Sequence, residues 1–203
     1  MIDSLIQFDK NLFLFLNKNN SLFDDFFVFI TNHKTMALLT VPTVFILAFI
    51  FQKQKFKLII LCVLLTFLIT DLVHYHVFKE FFQRLRPCWD PQISELCRIL
   101  VDKGGKYGFV SGHASSTSAI VSILFFTIPN LKIWIKDILI IWVTLICYSR
   151  IYVGKHFPLD VIFGVLLGYL IALFVYKVYL FLFKKYVIIE SKTAIKTSNS
   201  GVA

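Results

Sequence analysis

LIILCVLLTFLITDLVHYHVF, residues 58–78, is an unbroken apolar run whose one carboxylate is Asp71. As a helix rising about 1.5 Å per residue, a run of this length crosses the roughly 30 Å hydrocarbon layer of a bilayer. It lacks the two-residue alternation of a strand, and a helix satisfies its own backbone polar groups in lipid. Four more apolar segments stand around it, at residues 35–52, 114–131, 134–153 and 159–183. The whole composition agrees. Of the 203 residues 58% are hydrophobic and 16% charged, with a mean hydropathy of +0.76, whereas a soluble domain is about a quarter charged. Twenty-three Phe exclude a disordered chain. A formal charge of +9 raises the question of nucleic acid, but the apolar runs assign those charges to the loops of a membrane protein. The bilayer is the expected partner, and no nucleic acid is.

Residues 1–34 read differently. Leu5, Ile6, Leu12, Phe13, Phe15 and Leu16 recur in a helical rhythm among Asp3, Asp9, Lys10 and Asn17, the pattern of an amphipathic helix lying in the membrane interface. The stretch at 22–30 is apolar but short and holds Asp24 and Asp25, so it counts as a partial span. A signal peptide is not expected, because no basic start precedes the apolar part. Residues 186–203 are polar and rich in Ser, Thr and Lys, which predicts a disordered cytoplasmic tail. The expected fold is all-α: an integral-membrane helical bundle of five or six transmembrane helices over 35–185, preceded by an N-terminal amphipathic helix.

Lys53, Lys55 and Lys57, then Lys132 and Lys136, then Lys184, Lys185, Lys192 and Lys196 fall on one side of a five-span chain, and the positive-inside rule makes that side cytoplasmic. Yet the opposite loops, 79–113 and 150–158, hold Lys79, Arg84, Arg86, Arg98, Lys103, Lys106, Arg150 and Lys155. Basic charge on the outer face needs a separate reason. Those two loops contain three clusters: Lys79-x6-Arg86-Pro87, Ser111-Gly112-His113, and Ser149-Arg150-x5-His156-x3-Asp160. Lys and Arg supply charge and forked donors for an oxyanion. Gly112 permits close backbone approach, and amides opening a helix point toward an anion. Two His and an Asp supply nucleophilic and acid–base chemistry. Taken singly, each cluster has a plainer reading: interfacial anchors for the cations, a helix N-cap for Ser111, and a helix start with Pro158 for the third. Their common face and order favour one phosphate site.

The three clusters resemble the signature of the type 2 phosphatidic acid phosphatase family, which shares its site with vanadium haloperoxidases. The resemblance covers residues from about 58 to 183, with Val110 standing where that family has Pro. It implies a helical membrane enzyme that hydrolyses lipid phosphates or diphosphates without metal or other cofactor. Carried over, His156 resembles the nucleophile, Asp160 the residue that orients its ring, and His113 the general acid. Lys79, Arg86, Ser111, Gly112 and Arg150 resemble the phosphate-binding set. The substrate expected is a membrane lipid phosphate: undecaprenyl diphosphate, lipid A 1-phosphate, phosphatidylglycerophosphate or phosphatidate. It would be met at the periplasmic or exterior face of a bacterial inner membrane. A vanadate-dependent haloperoxidase and a non-enzymatic transporter are the competing readings.

Asp71 lies about 80° around a helix from Lys79, which suits support of the site or hydrogen bonding between helices. His74 and His76 stand about 200° apart on a helix, poor geometry for one metal, so no metal site is expected. Ser115, Ser116, Thr117, Ser118 and Ala119 offer a small-residue face for close packing. Cys62 and Cys147 fall within spans. Cys88 and Cys97 share the outer loop, where an oxidising compartment predicts a disulfide. Trp89 reads as an interface anchor.

Overall fold

The computed structural model of the chain describes residues 2–18 and 21–200, the last helix with side chains up to 182. Of the tail expected at 186–203, the backbone to Ser200 continues the last helix, and residues 201–203 lie outside the described residues. The apolar runs are helices. In chain order they are α1, Ile2–Asn17; α2, Asp24–Thr31; and α3, His33–Gln52. A 3-10 turn, Lys53–Lys55, then reverses the chain into α4, Phe56–Leu72. That helix continues through a π-helical segment, Val73–Lys79, and a last turn, Glu80–Phe82. After the long outer loop come α5, Gly112–Thr127; α6, Ile133–Tyr152; and α7, Pro158–Ser200. Among the described residues no strand forms. An isolated bridge between Leu85 and Tyr107 ties the two arms of the loop.

The α3 start follows from its cap, since Asn32 Oδ1 accepts from Lys34 N at 2.9 Å. Pro42 sits inside α3, as membrane helices tolerate when neighbours re-satisfy the freed backbone. Helix α2 has eight residues, a length of about 12 Å that is too short to cross a bilayer alone. Within His33–Phe82 and Pro158–Leu182 lie segments long and apolar enough to cross, with mean hydropathies of 2.4 and 2.3. Their outer faces carry exposed Phe45, Ile46, Leu61, Leu64, Ile162 and Leu166, as an apolar solvent permits.

Helix α5 is the centre of the bundle. Lipid gives helices no hydrophobic drive to associate, so contact depends on close packing of small residues. Ala114, Ser115, Ser118 and Ala119 are buried, and α7 meets them with Gly164 and Gly168. A Cβ on Gly168 would stand 2.2 Å from both Ser115 O and Ser118 Oγ. Ser118 Oγ donates to Ser115 O at 3.1 Å and Val165 O at 3.2 Å. The small-residue face read from the sequence is this interface. Deeper in the bundle, Leu47, Ile59, Leu124, Leu139 and Ile171 join α3 to α7 in one core.

Helix α1 buries part of its polar side. Asp9, Lys10 and Asn17 are buried while Leu5, Phe8 and Phe15 face outward. The cause lies at the end of α6, whose last carbonyls have no helical partner. Asn17 Nδ2 donates to Ile151 O at 3.2 Å and Tyr152 O at 2.8 Å, and its Oδ1 accepts from Arg98 N at 2.8 Å. Lys10 Nζ pairs with Asp90 Oδ2 at 2.5 Å.

Cys88 and Cys97 are free thiols in this structure, where the sequence reading expected a disulfide. Each sulfur is directed at a different backbone carbonyl, Cys88 Sγ at Lys103 O (3.9 Å) and Cys97 Sγ at Gly154 O (3.8 Å). Burial pushes the Cys97 thiol up to about 12.

Candidate active site

The ends of α4 and α6 and the starts of α5 and α7 meet at one end of the bundle, with the α2–α3 junction beside them. The three sequence clusters therefore converge. His156 lies in the turn between α6 and α7. That turn needs Gly154, which has φ +81° and whose Cβ would stand 2.5 Å from Arg98 O. His156 Nδ1 is 3.6 Å from Asp160 Oδ2, longer than a hydrogen bond, and has no other partner. With Nδ1 turned to the carboxylate, Nε2 is the nitrogen on the free side of the ring. Burial, reinforced by Arg86, Arg150, His113 and Lys79, holds the His156 imidazole well below its usual 6.5. The ring is neutral at pH 7 and keeps a lone pair.

Asp160 is fully buried and ties the second and third clusters together. Its backbone O accepts from Ser111 N at 2.9 Å, and its Oδ2 accepts from Phe157 N at 3.0 Å. Ser111 occupies the N-cap position of α5, yet its side chain makes no cap bond. Its Oγ is buried without a partner. Gly112 permits close approach, but of a side chain: a Cβ there would stand 2.6 Å from His74 Nε2. His113 Nε2 lies 3.0 Å from Thr31 O; a carbonyl only accepts, so Nε2 carries the hydrogen and Nδ1 the lone pair of the neutral ring.

The cations surround this pair of rings. Arg150 Nη1 donates to Thr31 Oγ1, while its Nε is buried without a partner. Arg86 Nε donates to Tyr107 O at 3.1 Å. Lys79 Nζ lies 5.3 Å from the centre of the Tyr75 ring. Lys155 Nζ donates to Asp102 O and Lys103 O, both at 2.6 Å. Burial, with repulsion from Arg86 and Arg150, brings Lys155 down to about 8. Among the described residues none of these four cations has a carboxylate within 4.0 Å. The arrangement is suited to binding an oxyanion beside a neutral imidazole.

The sequence reading missed Asp9, Thr31 and His33, and left Arg84 and Lys155 without roles. Asp9 meets Arg84, Thr31 holds Arg150 and His113, and the His33 ring centre lies 4.4 Å from that of His113. Asp71 lies 3.6 Å from His74, which packs on Gly112, and His76 lies 3.6 Å from Glu80 on the exposed side.

Comparison with known proteins identifies the family. The sequence profile of the PAP2 superfamily matches residues 59–184, which include all three clusters. Lipid A 4'-phosphatase of Porphyromonas gingivalis is 36% identical over 183 residues, covering 87% of this chain and 75% of that protein. The crystal structure of Aquifex aeolicus LpxE is similar with a TM-score of 0.61 and 29% identity, over 82% of this chain and 93% of that one. The crystal structure of a transmembrane PAP2 type phosphatidylglycerolphosphate phosphatase from Bacillus subtilis shares the fold. Its TM-score is 0.65 at 22% identity, over 85% of this chain and 84% of that one. The chain belongs to the PAP2 superfamily and is a membrane lipid phosphatase.

Proposed function

We propose that this enzyme removes phosphate from lipid A at the outer face of a bacterial inner membrane, through a phosphohistidine on His156. One observation carries the reading. Ser111 Oγ and Arg150 Nε are buried without partners in the same site as a neutral His156. A phosphate group would satisfy both donors and the cations around them. His156 Nε2 attacks phosphorus, and Asp160 steadies the ring as it becomes cationic. The negative charge of the bound phosphate favours a second proton on His113, at Nδ1, and the ring gives that proton to the departing sugar oxygen. Lys79, Arg86, Arg150, Ser111 and the Gly112 amide hold the phosphoryl oxygens, with Lys155 adding charge from beneath. These cations take the part that Mg²⁺ plays in metal phosphatases, so no cofactor is required.

The lipid is chosen on the similarity to a protein named lipid A 4'-phosphatase. The orientation rests on charge: Lys53, Lys55 and Lys57 at the α3–α4 turn, with Lys132 and Lys136 before α6, lie at the far end of the bundle from His156. Helices α3 to α7 then make five spans.

The test is phosphate release by purified protein, in detergent with EDTA, from lipid A, undecaprenyl diphosphate, phosphatidylglycerophosphate and phosphatidate. The expected result is fastest release from lipid A, with mass spectrometry showing loss of one phosphate. Faster turnover of another lipid would reassign the substrate, and loss of activity in EDTA restored by Mg²⁺ would overturn the metal-free site.

A further inference from the structure

Arg84 stands outside the three clusters, two residues before Arg86, on a stretch where Arg84 O accepts from Gly108 N (2.8 Å) and Arg86 N donates to Lys106 O (3.0 Å). Its guanidinium joins two buried carboxylates. Nη1 donates to Asp160 Oδ1 at 2.6 Å and Nη2 to Asp9 Oδ2 at 2.5 Å. The group rests 4.4 Å from the centre of the Phe157 ring. Asp9 is itself anchored, since its Oδ1 accepts from Leu159 N at 3.0 Å. Asp9 belongs to α1, outside the 59–184 region that matches the superfamily.

The charge count gives this chain of contacts a purpose. In the reaction proposed above, Asp160 opposes the positive charge that develops on His156. Arg84 and Asp160 alone would form a neutral pair, and the guanidinium would cancel that effect. Asp9 adds a second carboxylate, so the three side chains together keep one net negative charge beside His156. In a poorly polarisable interior a unit of charge is felt far more strongly than in water. We propose that Asp9 is a positioning residue for phosphoryl transfer: it holds Arg84 and offsets its charge, so that Asp160 can stabilise the cationic His156. Asp9 touches no substrate and acts through Arg84. The inference rests on His156 being the nucleophile.

The experiment measures kcat and KM on lipid A, with full-length protein in detergent, for Asp9→Asn, Asp9→Glu, Arg84→Gln and the double variant Asp9→Asn/Arg84→Gln. His156→Ala is the reference. Asp9→Asn should lower kcat roughly ten- to a hundred-fold, as misplacement of a catalytic group does. KM should stay within about two-fold, because other residues hold the phosphate. Asp9→Glu should recover part of the loss. The double variant restores one net negative charge and should exceed Asp9→Asn in kcat. A clamp that matters only for folding would leave the double variant no better than the poorer single one. Wild-type kcat in Asp9→Asn, or a double variant no faster than Asp9→Asn, overturns the inference. If Asp9→Asn fails to fold, as read by thermal melting, the double variant is compared with Arg84→Gln: equal kcat is expected, because without Arg84 there is no charge for Asp9 to offset, and a further loss of about ten-fold or more overturns the inference. His156→Ala active at the wild-type rate would remove the underlying mechanism. An inactive His156→Ala beside fully active Asp9 variants would remove this inference alone.

Discussion

Lys155 is buried beside Arg86 and Arg150, and its value of about 8 places its loss of charge within reach of experiment. The sign is fixed by direction: below that pH Lys155 is a cation, and above it the site has one positive charge fewer. KM for the phosphate should therefore rise as pH passes about 8, while Lys155→Met should start with a higher KM and lack that rise. Over the same range, from about 8 up to the usual 10.5 of lysine, the unfolded chain binds the proton that the folded chain has released. The fold accordingly gains stability as pH increases, which thermal melting between those values checks. The histidines separate by leaving group. His156→Ala should abolish turnover of every lipid. His113→Ala should cost about 10²–10⁴-fold on a monophosphate, whose alkoxide needs a proton, and less on a diphosphate. Equal losses of His113→Ala activity on both lipids, with His156→Ala active, would exchange the two roles. At this scale the three clusters were legible in the sequence because their spacing is local to single turns and helix ends. Asp9 and Thr31 were not legible. Each reaches the site across more than seventy residues of chain, and a carboxylate in the helical rhythm of α1 reads as a solvated face.

Between elements, the decisive contact is α5 on α7. Gly168 leaves no room for a side chain against Ser115 and Ser118. Gly168→Ala should therefore cost about 1–3 kcal/mol by overpacking, seen as a lower melting temperature in detergent. It should also depress activity, because α5 carries Ser111 and His113 and α7 carries Asp160. A variant that melts with the wild type would show that the helices can part at no cost. The apolar runs predicted that α3 to α7 are helices, since runs of that length satisfy their backbone groups internally. The docking of α1 was hidden because Asn17 meets the last carbonyls of α6 only in the folded pair. The π-helical segment Val73–Lys79, which sets the direction of Lys79, has no counterpart in the pattern of apolar residues.

For the molecule as a whole, one end of the bundle brings the three clusters together and the packed helices behind it hold them in place. Four cations without carboxylate partners among the described residues would destabilise a site kept only for packing, which is what the proposed phosphate, arriving with its own charge, would offset. Vanadate should compete with lipid A by occupying the same donors, and inhibition that is not relieved by raising the substrate concentration would contradict a shared site. The central claim is that phosphate passes through His156. It is tested most directly by mixing the enzyme with phosphate-labelled lipid A, quenching within a turnover, and locating the label on the protein. The account predicts a phosphoenzyme that is labile to acid and stable to base, mapped to His156 and absent from His156→Ala. Steady turnover of the wild type with no such intermediate, or label on His113 in its place, would contradict it.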